Sequence, residues 1–225
     1  MEMRKSENQQ IEMRTSRVQP NENVEKVKGS LQAYWNYLLR YLKKPTEAFR
    51  RAEGEFIFDV VTLALFALFI GIVNYALKSS HDSATLSFVS IVSDTFFFIA
   101  FGMLIVLISL YLINKFLGAE LTLKTLTGIY GTQLIPLLAL SLLTFVLILI
   151  KSVVIGNVLL LAIVLYAIFV LPLYLLTRLL ATTSSNLDPH YSFISYLILF
   201  TLLFSFYLRV ILDKGLGDIF GRLTF

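Results

Sequence analysis

Five long apolar runs dominate the chain, and the short polar stretches between them set its architecture. The runs are Phe56–Leu77, Leu86–Ile113, Leu126–Ile150, Val153–Leu176 and Tyr191–Leu212. Each is near the roughly 20 residues that a helix needs to cross a bilayer. Helix is the expected state, because an open strand cannot satisfy its backbone in lipid and five spans cannot close a barrel. Only Lys151 and Ser152 separate the third and fourth runs, which predicts a tight helical hairpin. The expected fold is therefore all-α, a polytopic bundle of five transmembrane helices at residues 56–77, 86–113, 126–150, 153–176 and 191–212.

Upstream of the first run the pattern changes twice. Residues 1–29 mix charges of both signs with Gln and Asn and show no apolar period, which predicts a disordered tail. No apolar run precedes Phe56, so no secretory leader is expected. Within residues 30–55, Leu31, Tyr34, Trp35, Leu38, Leu39 and Leu42 recur at helical spacing behind Ser30, a candidate cap. Arg40, Lys43, Lys44, Arg50 and Arg51 flank that face, and Pro45 divides the stretch into two short helices. Aromatic residues beside basic ones predict an amphipathic interfacial helix anchored by Tyr34, Trp35, Arg40, Lys43 and Lys44. Packing on the ends of the spans is the competing reading. After Leu212, Gly215, Gly217 and Gly221 interrupt a short tail, residues 213–225.

Composition sharpens this picture. The 225 residues are 57% hydrophobic and 15% charged, against about 45–50% and about 25% in soluble domains. A water-soluble globule is excluded. Cysteine is absent, which removes thiolate metal sites, iron–sulfur clusters and Cys nucleophiles, and the two histidines, His81 and His190, lie outside the middle of any span. No cofactor and no nucleic-acid partner is implied. Residues 1–55 hold 11 of the 19 lysines and arginines. An internal N-terminus would put 14 basic residues inside and five outside, which predicts a cytosolic N-terminus and an external C-terminus.

Charges within spans cost at least about 2.5–3.5 kcal/mol on insertion scales, so each calls for an explanation. Asp94, between Ser93 and Thr95, and Arg209 lie at similar outer depth in the second and fifth runs. Asp59 and Arg178 lie at the inner surface of the first and fourth. These depths predict two pairs, Asp94 with Arg209 and Asp59 with Arg178. A coupling carboxylate is the functional alternative for Asp94, and snorkelling to the interface is the alternative for the others. The third run contains Thr127-Gly-Ile-Tyr-Gly-Thr-Gln-Leu-Ile-Pro136. Pro136 is expected to kink the helix, and Gly128, Gly131 and Thr132 make one side small enough for a close helix contact. Gln133 places an amide where it must find a partner across helices. A broken span with an amide at the break fits a binding site as well as a packing site.

The stretch Leu42-Lys-Lys-Pro-Thr-Glu-Ala-Phe49, the run from Gly128 through Tyr130 to Pro136, and five spans with a cytosolic N-terminus together resemble the bacterial form of the Yip1 family. The likeness covers roughly residues 41–212. It implies a non-enzymatic membrane protein that works through partners, in some cases beside an exporter involved in envelope stress or toxin protection.

The function expected first is accordingly a non-enzymatic plasma-membrane protein that binds and assists other integral membrane proteins, such as a transporter. Its partners would be membrane lipids, those proteins, and further copies of itself. A small carrier or flippase for an amphiphilic molecule, using Gln133, Pro136 and Asp94, is the second reading. A membrane enzyme is the third, weakened because Glu53 and Glu55 sit at the membrane edge without a histidine partner nearby.

Overall fold

The computed structural model describes residues 22–50, 55–81, 87–117, 121–180 and 189–223. Expectations for residues 1–21, 51–54, 82–86 and 224–225 lie outside the described residues. The described elements are helical: α1 (Glu22–Lys43), a 3-10 helix (Pro45–Arg50), α2 (Phe56–His81), α3 (Phe88–Leu117), α4 (Leu123–Gln133), α5 (Ile135–Leu149), α6 (Val153–Leu165), a π turn (Tyr166–Val170), α7 (Leu171–Leu180) and α8 (Pro189–Leu223). Among the described residues there is no strand. Five stretches are long and apolar enough to cross a membrane: Phe56–Ser80, Phe88–Leu117, Leu123–Leu149, Val153–Leu180 and His190–Ile211. The chain is a multi-pass membrane protein whose apolar helices face lipid.

The described residues fall into two compact units, divided between Arg40 and Tyr41. Two boundaries differ from the sequence-based expectation. Helix α1 begins at Glu22, so residues 22–29 are helical and Ser30 lies inside the helix instead of capping it. Glu and Lys at these positions are adequate helix formers, and a nucleated helix extends cheaply. Helix α8 runs on to Leu223 through the three glycines. They weaken a helix by about 1 kcal/mol each relative to alanine, but no proline stops it. Along α1, Val27, Leu31, Trp35, Leu39 and Leu42 form an exposed apolar stripe, and Tyr34 stacks on Tyr37 with ring centres 5.7 Å apart.

Within the second unit, α2 is the central span and packs on α3, α4, α5 and α6. Its buried residues Phe66, Ile70, Val73 and Leu77 are spaced four, three and four apart. In α3, Ile99, Met103, Val106, Leu110 and Ile113 follow the same rhythm. That alternation keeps one stripe of each helix turned toward its neighbour. The fifth span, the apolar part of α8, lies at the margin against α3 and α7. It docks through a ladder of rings, in which Tyr196, Phe200 and Phe204 stack along the helix and Phe169 of the π turn meets the last two edge-on. We call proximal the end of the bundle at which Phe56, Leu117 and Leu123 lie, and distal the end carrying the hairpin between α5 and α6.

That hairpin is closed by a left-handed residue. Lys151 has φ of 64°, Ser152 N–H donates to the Leu147 carbonyl and Lys151 N–H to the Ile148 carbonyl, both at 2.9 Å. The pair of bonds satisfies carbonyls that the end of α5 would otherwise leave bare. Gly156 then allows α6 to pass close to Ile148, whose Cγ1 lies 2.6 Å from where a β-carbon would stand. A side chain at Lys151 strains this backbone, so Lys151→Gly should raise stability by up to about 1 kcal/mol, and Lys151→Val should lower it. Thermal melting in detergent checks this, and a glycine variant that melts lower would contradict the assignment.

Candidate functional site

The polar groups gather at three levels. At the proximal end, Asp59 sits in the first turn of α2 and is 1% exposed. It faces α4. A β-carbon on Gly131 would stand 2.9 Å from the Asp59 backbone oxygen, and one on Gly128 would stand 3.2 Å from Asp59 Oδ2. The small side of the third span is thus turned to the start of the first, and at Gly131 the distance is one only glycine permits. Thr132 Oγ1 lies 3.3 Å from Asp59 Oδ1 and 2.7 Å from the Gly128 carbonyl, so one hydroxyl proton serves two acceptors. Gln133 Nε2 donates to the Pro45 carbonyl at 2.8 Å, tying the 3-10 helix to the broken span.

Asp59 does not pair with Arg178. Arg178 is exposed on α7, and among the described residues no ion pair joins the two. Asp59 occupies the face of α2 that meets α4, whereas α7 packs on α3, α4 and α8.

The middle level joins two breaks. The helix is distorted at Leu134, between α4 and α5 and two residues before Pro136, where the N–H is shared between the Tyr130 and Gly131 carbonyls, each at 3.2 Å. Proline has no N–H and its ring crowds the preceding turn, so the ladder is interrupted there. A second break lies in the fourth span and was not expected from the sequence, although Pro172 is its signal. Leu171 N–H bonds the Tyr166 carbonyl, five residues back. In that register the Ala167 carbonyl would need a donor from Pro172, which has none. Tyr130 supplies it: its hydroxyl donates to Ala167 O at 3.0 Å, fully buried. The residue between the two glycines of the third span therefore mends the break in the fourth.

The distal level holds Asp94, Thr95, Asn74, Asn157, Tyr207 and Arg209. Asp94 is exposed and accepts from Ser90 Oγ at 3.3 Å, one turn away. Among the described residues no ion pair joins it to Arg209. Tyr207 of α8 faces α3, its hydroxyl donating to Phe98 O at 3.0 Å. Two positions further, Arg209 is rotated about 200° away from that contact. Asn74 Nδ2 instead crosses from α2 to α3, donating to Thr95 Oγ1 at 2.9 Å. Sequence depth alone did not single out Asn74.

Of the interfacial anchors, Trp35, Arg40, Lys43 and Lys44 are exposed and Tyr34 is half-buried. Lys44 pairs with Glu47 at 3.5 Å, and Tyr41, ahead of the proline, donates to Oε2 of Glu55 beyond it at 3.1 Å.

Fold and site together define an all-helical five-span membrane protein whose third and fourth spans are both broken and cross-bonded. No protein-family model matches the chain, and no curated protein and no solved structure shows significant similarity to it.

The proximal contact makes a graded prediction. Gly131→Ala meets backbone and should cost about 1–3 kcal/mol by overpacking, whereas Gly128→Ala meets a carboxylate that can turn and should cost less. Melting of the two variants in detergent ranks them, and the reverse order would discard the contact. At the middle level, Tyr130→Phe leaves a buried carbonyl bare and should cost about 1–3 kcal/mol. Adding Pro172→Ala restores a backbone donor in the same turn and should recover part of that loss. Additive losses in the double variant would show that the hydroxyl does not serve the break.

Proposed function

We propose that this chain is a Yip1-like multi-pass protein of the plasma membrane that binds and assists other integral membrane proteins, with its proximal end toward the cytosol. The reading assigns it no reaction and no cofactor. An accessory in a transporter or an envelope-stress or toxin-protection system fits the resemblance carried by residues 42–49 and 128–136.

The observation that carries the reading is the marginal fifth span. Only 11% of its apolar window is buried within the chain, against 39 to 44% for the first three. Ile194, Ile198, Leu202 and Phe206 follow one another at four-residue spacing, all exposed, and Phe206 is 70% exposed. Such a row is one helix face, ready to pack on a helix of another protein. The polar groups inside the bundle support the same reading, because most are consumed locally. Thr62, Ser109, Thr127 and Thr144 each bond a carbonyl four residues back, an arrangement that supplies no polar route through the bundle.

Photo-crosslinking tests this in intact cells. A benzophenone amino acid placed at Leu202 or at Phe206 should yield the same discrete adduct with one other membrane protein, identified by mass spectrometry. The same group at Ile155, exposed on α6, should not. Lipid adducts alone, or adducts with a second copy of this chain alone, would overturn the accessory reading.

A further inference from the structure

A cleft of about 950 Å³ opens between α2, α3, α6 and α8 in the distal half of the bundle. Its volume falls in the range of about 300–1,000 Å³ that small-molecule sites occupy. The walls are apolar and aromatic: Phe97, Phe98 and Phe101 from α3, Leu160 and Val164 from α6. Polar groups also line it, namely Asn74, Asp94, Thr95, Asn157 and Tyr207.

Charge singles out one kind of occupant. Among the described residues, Asp94 is the only one with a formal charge that lines the cleft. Lys78, Lys151 and Arg209 lie toward the same end, yet none of them lines the cleft. Hydrogen bonding points the same way. Thr95 Oγ1 donates to Ile91 O at 2.8 Å, Asn74 Nδ2 donates to Thr95, and the Tyr207 hydroxyl is engaged with Phe98 O. The hydroxyl protons are spent and the Asn74 and Asn157 amides are neutral groups that both donate and accept, while the charged member, a carboxylate, is an acceptor only. A cation with N–H donors is what such a lining receives, and the neighbouring rings add attraction for it.

Depth separates a head from a tail. Helix α3 has 30 residues and is about 45 Å long, against a hydrocarbon core of about 30 Å. Asp94 comes six residues after Phe88, about 9 Å along the helix, which sets it near the headgroup boundary of the distal leaflet. Phe97, Phe98 and Phe101 lie progressively deeper. The geometry points to a binding site for a single-chain amphiphile with an ammonium head, entering from the distal leaflet. The head meets Asp94 and the chain lies along the phenylalanines and the α6 wall. This site is independent of the α8 stripe, so it stands or falls apart from the accessory reading.

The test uses the full chain in phosphatidylcholine vesicles and two photoreactive probes. One is a dodecylammonium carrying a diazirine in its tail, and the other is the matching dodecyl sulfate. The ammonium probe should label peptides containing Phe97–Phe101 and Tyr207–Ile211, at least tenfold more than the sulfate probe does. Asp94→Asn should lower that labelling about tenfold, to the sulfate level, and Asp94→Glu should retain it. Leu161 lines the cleft and is 59% exposed, so Leu161→Trp obstructs the wall along which the chain would lie without disturbing a buried contact. It should abolish labelling with Asp94 intact, and it carries the test if Asp94→Asn does not fold. Equal labelling by both probes, label spread evenly over the five spans, or full labelling of Leu161→Trp would each overturn the proposal.

Discussion

A backbone carbonyl in hydrocarbon has no water to bond, and that of Ala167 has no helical donor either. Pro172 removes the one N–H that the π register would bring to it. The bundle answers with the Tyr130 hydroxyl, from a different span, at 3.0 Å. Much of the arrangement follows from that reach. For Tyr130 to arrive there, α4 must be set deep among its neighbours, and the glycines on either side of the contact let it lie against the start of α2. The Pro136 break then lets the rest of the third span leave along α5, which packs on α2 and α6. Two prolines that would each weaken a lone helix are thus accommodated together, and a third group, the Gln133 amide on the Pro45 carbonyl, ties in the segment ahead of the first span.

The spans were legible because lipid imposes their length and apolarity directly, and the five observed helices cover the five apolar runs. Their ends were less so. Glu22 to Gly29 and residues 213–223 are polar or glycine-rich, and composition does not register a helix that merely continues from a nucleated neighbour. The break at Pro136 could be read because polar and small residues surround it. Pro172 sits in Phe169-Val-Leu-Pro-Leu-Tyr174, where uniform apolarity hid it, and no residue type encodes a π turn. The charge pairs failed for a geometric reason. Sequence reports depth along a span but not rotation about it, so Asp94 and Arg209 share a level while Tyr207, two positions before Arg209, is turned to α3. The same blindness left the partner of the glycine side unnamed until Asp59 was seen against it.

Close helix contacts occur toward both ends of the bundle, and small residues permit them. Gly128, Gly131 and Thr132 bring α4 onto α2 with backbone in reach of backbone. Distally, Gly71 brings α2 just as near to α3, a β-carbon there standing 2.9 Å from the Val92 backbone oxygen, and the Asn74 amide ties the same two helices through Thr95 at the edge of the cleft.

The division of the third span at Leu134 bears on how the chain enters the membrane as it is made. Helix α5 is almost wholly apolar and would partition into lipid unaided. Helix α4, Leu123-Lys-Thr-Leu-Thr-Gly-Ile-Tyr-Gly-Thr-Gln133, would not, since its 11 residues include three threonines, two glycines, a lysine and a glutamine. It gains a favourable place only where α2 already waits with Asp59 and where the fourth span can receive the tyrosine. The apolar half of the third span thus carries most of the energy of entering lipid, and α4 owes its place in the membrane to its neighbours on both sides.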